Sequence, residues 1–161
     1  SVSEQLLRLA EDTLSTECAL VHGDVSPKNI LMGSRGPVFL DAECAWYGEP
    51  AFDLAFCLNH MLLKCMVMPE KKEDYLASFD ALQSAYFSNV DWESVENIEA
   101  RTARLLPALF LARIDGKSPV EYITSEDDKE RVRKTALPYI ETSPTRLSEF
   151  KNSWARNLAN D

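Results

Sequence analysis

Three oxygen-bearing side chains have the type and spacing for metal-assisted chemistry. Asp24 and Asn29 lie five positions apart in the polar stretch His22-Gly23-Asp24-Val25-Ser26-Pro27-Lys28-Asn29, and Asp41 opens a second polar stretch that runs to Glu49. Between them sit two short apolar runs, Ile30-Leu31-Met32 and Val38-Phe39-Leu40, joined by Gly33-Ser34-Arg35-Gly36-Pro37. Such runs around a turn-rich joint predict a β-hairpin. With residues 33–37 as the turn, Met32 faces Val38, Ile30 faces Leu40 and Asn29 faces Asp41. Opposed residues hold their Cβ atoms about 5 Å apart. An amide oxygen and a carboxylate converging there suit Mg²⁺, which takes few protein ligands and completes its shell with water and phosphates. A one-residue slip of register would send the two side chains to opposite faces. Asp24, on a loop beside such a site, could accept the proton of an attacking hydroxyl. The same spacing also allows a plain structural reading, with Asp24 capping a turn and Asn29 starting a strand.

The elements that must position these residues follow from periodicity. Residues 3–15 read as a helix, with Leu6, Leu7, Ala10 and Leu14 on one face. Cys18 to Val21 is a short apolar run that predicts a buried strand ahead of the first polar loop. After the second loop, Pro50 suits the first turn of a helix over about 50–67 that is apolar nearly all round and so should be buried. Further helices are expected at about 70–88, 92–113, 118–123, 126–141 and 145–159, with Asp91, Ser118 and Thr124 or Ser125 as caps. Pro107 should kink the second of these. Leu147, Phe150, Trp154 and Leu158 recur at spacings of three and four on the last helix, a docking face rather than a cofactor box. The fold class is therefore mostly α (α+β), a single domain over residues 1–161, with the chemistry in two loops flanking a small β element.

A resemblance sharpens this. His22-Gly23-Asp24 followed by Asn29, then Asp41-Ala42-Glu43, then Gly48-Glu49-Pro50-Ala51-Phe52-Asp53-Leu54-Ala55 resemble, in order and interval, three motifs of the aminoglycoside phosphotransferase family. That family is distantly related to protein kinases, whose catalytic loop also sets an Asp before a metal-binding Asn. The resemblance implies a protein-kinase-like C-terminal lobe and ATP-dependent transfer of a phosphoryl group to a hydroxyl of a small molecule. It implies Asp24 as the residue that orients and deprotonates the acceptor, and Asn29 and Asp41 as ligands of Mg²⁺ on the ATP phosphates. Glu43 takes the second acidic position and would support metal or substrate at the nucleotide. Lys28 could reach a phosphate or be an ordinary solvated lysine. Asp53 would brace the catalytic loop. Its place in an apolar helix argues the same way, because an ionised carboxylate there needs hydrogen-bond partners, and loop N–H groups are the expected ones. His22 reads as a brace rather than a proton shuttle. Trp46 and Tyr47 could line a substrate pocket or cover the core. Arg113, Asp115 and Lys117 could line the acceptor site but read better as helix caps.

Composition bounds the alternatives. The chain carries a formal net charge of −9, which argues against nucleic acid as a partner. It would suit a cationic acceptor. The apolar stretch Ala51 to Val67 is broken by Asp53, Asn59, His60 and Lys64, so no membrane span is expected. Cys18, Cys44, Cys57 and Cys65 form no C-x-x-C pair and read as reduced core residues of a cytoplasmic protein. The family's N-terminal lobe supplies a glycine-rich β-sheet and a phosphate-pairing lysine, for which the residues before Asp24 have no room. The chain is therefore expected to be the C-terminal lobe of a longer kinase, inactive alone and able to self-associate through the face where the N-lobe docks. Two other readings compete: an inactive kinase-like scaffolding module, and a metal-dependent hydrolase using Asp24, Asp41 and His22.

Overall fold

The computed structural model describes residues 1–159. Helix α1 (Val2–Ser15) opens with a capping box, in which the Ser1 side chain accepts from the Glu4 backbone and the Glu4 side chain accepts from Ser1. The chain then forms β1 (Ala19–Val21), β2 (Ile30–Gly33), β3 (Gly36–Phe39) and β4 (Trp46–Gly48). Helices α2 (Ala51–Val67), α3 (Lys72–Phe87), α4 (Val95–Asp115), α5 (Glu126–Thr142) and α6 (Leu147–Asn157) follow. The fold is mostly helical with small antiparallel sheets.

The strands form two separate antiparallel ladders. β2 and β3 make the expected hairpin, but its register differs from the one read from the sequence. Ile30 pairs with Phe39, Leu31 with Val38 and Met32 with Pro37. The turn is the short one at Ser34-Arg35, closed by a Gly33–Gly36 pair in which Gly36 takes a φ of +109°. Asn29 therefore lies opposite Leu40, whose N–H donates to the Asn29 carbonyl at 2.8 Å, and not opposite Asp41. The second ladder is β1 with β4, pairing Val21 with Trp46 and Ala19 with Gly48. It ties the start of the first polar loop to the end of the second.

α2 is buried along most of its length, as its all-round apolar sequence predicts, and packs against α3 and α4. The main core gathers Leu58, Leu62, Phe79, Leu106, Phe110 and Trp154. The stripe on α6 is inside this core: Trp154 meets the Phe110 ring edge-on at 4.9 Å, and its indole N–H donates to the Leu62 carbonyl at 2.7 Å. α4 runs through Pro107 and starts at Val95, capped by Ser94 rather than Asp91, with Ser94 Oγ accepting from Asn97 N–H. Residues 118–123 form no helix. Pro119 cannot donate a helical hydrogen bond, and the Val120 N–H instead donates to the Arg113 carbonyl at 2.8 Å, which folds this segment back on the end of α4. Cys57 and Cys65 are buried, whereas Cys18 and Cys44 are exposed and do not belong to the core. Among the described residues no helix is long and apolar enough to cross a membrane.

Candidate active site

The two polar loops lie between the two ladders. The first leaves β1 at Val21 and enters β2 at Ile30; the second leaves β3 at Phe39 and enters β4 at Trp46. Each loop is thus held at both ends, once by each ladder. The first begins with a left-handed residue, Gly23, at φ +84°. A Cβ at Gly23 would lie 2.6 Å from the Cys44 carbonyl oxygen and 2.8 Å from the Trp46 ring. Only glycine satisfies both the dihedral and the contact, so this residue brings the two loops together.

Asp53, in the first turn of α2, fixes the first loop from below. Its carboxylate accepts the backbone N–H of His22 at 2.7 Å and that of Gly23 at 2.9 Å. These are the loop N–H partners that its place in an apolar helix calls for. The His22 ring ties the loop sideways. Its Nδ1 accepts the Asp24 backbone N–H at 3.3 Å, so the ring proton sits on Nε2, which is 3.0 Å from the Leu40 carbonyl oxygen and donates to it. Both ring nitrogens are committed, one to each loop.

Asp24 is half-buried at the head of this arrangement. Asn29 is buried and donates its Nδ2 to the Asp24 carboxylate at 2.8 Å and to the Asp24 carbonyl at 3.0 Å. That orientation leaves Asn29 Oδ1 without a hydrogen bond among the described residues. Lys28 Nζ is 3.9 Å from Asp24 Oδ2, on a side chain that is largely solvated. Asp41 adopts the left-handed conformation at φ 63°, ψ 51° and is exposed, and its carboxylate makes no hydrogen bond or ion pair among the described residues. A left-handed residue leaves the pleat, so the strand alternation that would have aimed Asp41 away from Asn29 does not extend to it. Glu43 follows in an exposed single turn of 3₁₀ helix. Asn29 Oδ1 and the Asp41 carboxylate, one on each loop, are unengaged hard donors of the kind Mg²⁺ takes.

A cavity of about 340 Å³ opens from Asp24. Its lining includes Asp24, Lys28, His60, Arg113 and Tyr122. Sequence reasoning missed His60 and Tyr122 and read Arg113 as a cap. The one available signal was the polar cluster at Arg113 to Lys117; nothing local connects His60 on α2 with residue 122. Of that cluster Asp115 does play a surface role, accepting Arg133 at 2.7 Å and 2.9 Å. Trp46 and Tyr47 lie elsewhere. Trp46 packs edge-on against Phe52 at 5.1 Å and faces an apolar groove under α1, and the exposed Tyr47 donates its hydroxyl to the Cys18 carbonyl.

Below the site, the N-terminus of α2 is fixed by a buried carboxylate. Glu49 accepts the Ala51 N–H at 3.0 Å and Arg101 Nε at 2.8 Å, and Arg101 also clamps Glu93 with two bonds of 2.6 and 2.7 Å. This sets the first turn of α2 against α4 and so sets Asp53.

No curated protein matches the chain. The sequence profile described as the phosphotransferase enzyme family matches residues 2–96, which hold both polar loops, all four strands and the Asp53 turn. With the braced Asp24–Asn29 pair at its centre, the chain belongs to that phosphotransferase family.

Proposed function

We propose that this chain is the C-terminal catalytic lobe of an ATP-dependent kinase that phosphorylates a hydroxyl of a small molecule. The observation that supports this most is the Asp24 carboxylate, oriented by Asn29 at 2.8 Å on a doubly braced loop and facing a cavity. Asp24 aligns the acceptor hydroxyl and takes its proton. The acceptor oxygen bonds to the γ-phosphorus of ATP as the bond from that phosphorus to the β-bridging oxygen breaks, and its electron pair leaves with ADP. Mg²⁺, held by Asn29 Oδ1 and the Asp41 carboxylate, would neutralise charge on the phosphates. In this reading Lys28 reaches a phosphate from the Asp24 cavity it lines, Glu43 stands at the nucleotide side, His22 and Asp53 hold the loop, and the N-terminal lobe implied by the resemblance grips the ATP. Most of the rate would come from positioning and fixed charge.

The test is ADP release by the full-length gene product with ATP, Mg²⁺ and hydroxyl acceptors. Asp24→Asn should lower turnover by about 10²- to 10⁴-fold while Mg²⁺·ATP affinity holds. Asp41→Asn should abolish metal-dependent ATP binding. Undiminished turnover in Asp24→Asn, or metal-dependent ATP binding that survives Asp41→Asn, would refute these roles.

A further inference from the structure

The far wall of the Asp24 cavity has a composition at odds with the acidity of the chain. Arg113, in the last turn of α4, is half-buried and stacks its guanidinium on the Phe56 ring, 5.1 Å from the centroid. Its Nε is buried and has no hydrogen-bond partner, and the side chain forms no ion pair among the described residues. Asp24 acts on it only through space, because the Asp24 carboxylate is already engaged by Asn29 and flanked by Lys28. A buried guanidinium N–H without an acceptor is costly. His60 adds a second unmet group. It is 7% exposed, its Nδ1 lies 3.2 Å from the Tyr122 hydroxyl, and its buried Nε2 has no partner. Burial first, then the nearby Arg113, holds its pKa down to about 4, so the ring is neutral at pH 7. Glu121 also borders the cavity but is exposed at the rim, where solvent screens it.

We propose that Arg113 is the specificity residue of an acceptor site for a small anionic alcohol, pairing with its carboxylate or phosphate group while the hydroxyl lies at Asp24. The proposal rests on the phosphotransfer reading of Asp24. A guanidinium presents a planar fork of donors that matches either anion with two parallel bonds. The Phe56 ring holds that fork in place before a ligand arrives, and the Val120 N–H bonded to the Arg113 carbonyl fixes the main chain at the end of α4. His60 lines the same wall as a neutral ring. The volume of about 340 Å³ is at the low end for small-molecule sites, which favours a compact acceptor over a large polycation. Arg113 and Tyr122 lie outside residues 2–96, so part of the acceptor wall comes from the stretch the family profile does not match.

The experiment uses the full-length protein and a matched three-carbon series: glycerate, glycerol 3-phosphate, glycerol and 3-amino-1,2-propanediol. Binding is read from the His60 imidazole NMR signals and turnover from ADP release. Glycerate, glycerol 3-phosphate or both should shift the His60 signals saturably and support turnover, which also tells carboxylate from phosphate. Glycerol and the amine should do so far less. Arg113→Gln should raise the acceptor KM about 10- to 100-fold with the ATP KM unchanged, and Arg113→Lys should recover part of the loss. Preference for the amine or for glycerol, or failure of both anions to bind, would overturn the proposal. So would an Arg113→Gln effect on the ATP KM alone, which would assign the guanidinium to the nucleotide. If amine turnover still requires Asp24, the anionic acceptor fails and phosphotransfer stands. If anions bind through Arg113 but Asp24→Asn leaves turnover intact, the reverse holds.

Discussion

His60 shows how much one buried side chain can couple the site to solvent. Its ring is held neutral by burial and by the positive charges of Arg113, Lys64 and Lys28, against which only Asp24 pulls, while Tyr122 meets its Nδ1. The folded pKa near 4 lies below the ordinary 6.5, so above pH 6.5 neither folded nor unfolded chain binds this proton. As pH falls from 6.5 towards 4, the unfolded chain takes the proton and the folded chain does not, and stability drops. A shift of that size corresponds to about 3 kcal/mol by pH 4. The His60→Asn variant should therefore lose about 2–3 kcal/mol less than the wild type between pH 7.5 and 4.5, measured by urea denaturation. Parallel pH profiles would contradict the buried neutral ring. The sequence showed His60 only as a polar break in the apolar run 51–67, because its environment is made by residues 113 and 122. Asp53, in contrast, was legible: a carboxylate within an apolar run demands donors, and the nearest unassigned ones were the N–H groups of the loop it now holds.

At the scale of elements, the site depends on where α2 begins, and that is decided by Glu49 and Arg101. Glu49 is 2% exposed and joins the helix N-terminus to Arg101 on α4, which in turn holds Glu93. The bonds to Glu93 and Glu49 hold the Arg101 guanidinium firmly protonated. Arg101→Met would keep most of the packing but leave Glu49 buried without its counter-charge. Loss of one partner of a buried pair costs about 3–5 kcal/mol, and the partial exposure of Arg101 puts this case near 3. Thermal unfolding should register it, and a Glu49→Gln, Arg101→Met double variant should recover part of the loss, because a neutral amide tolerates that site. A double variant no more stable than Arg101→Met would show that the charge is not the cause. Helices were readable because 3.6-residue periodicity is local: α2, α3, α5 and α6 fall close to where apolar spacing and caps put them. The strands were less so. The hairpin was visible, but its register turned on the Ser34-Arg35 turn being two residues long. The ladder of β1 with β4 joins residues 19–21 to 46–48, a pairing that no local pattern announces. The short helix expected at 118–123 failed because Val120 bonds back to α4 instead of forward along the chain.

Across the whole molecule, the helices bury their apolar faces while the two ladders keep apolar side chains exposed. In β1 and β4 the directly paired Leu20 and Tyr47 are both exposed, and in β2 and β3 so are the paired Leu31 and Val38. Exposed apolar cross-strand pairs are what an interaction surface requires. We propose that this face packs against the N-terminal lobe in the complete enzyme and against a second copy when the 161-residue chain is isolated. The net charge of −9 opposes such pairing, which makes salt a discriminating variable. If the contact is apolar, salt screens the repulsion and self-association strengthens as salt rises; if ion pairs hold it, salt weakens it. Sedimentation equilibrium of the isolated chain should show a mass above 18.2 kDa that grows with sodium chloride. Leu31→Lys combined with Val38→Glu places opposite charges on facing strand positions, which the ladder tolerates, and should return the chain to monomer without unfolding it. A chain that is monomeric at every salt concentration would remove the apolar face as the driving surface, whereas association that persists in the double variant would move it elsewhere.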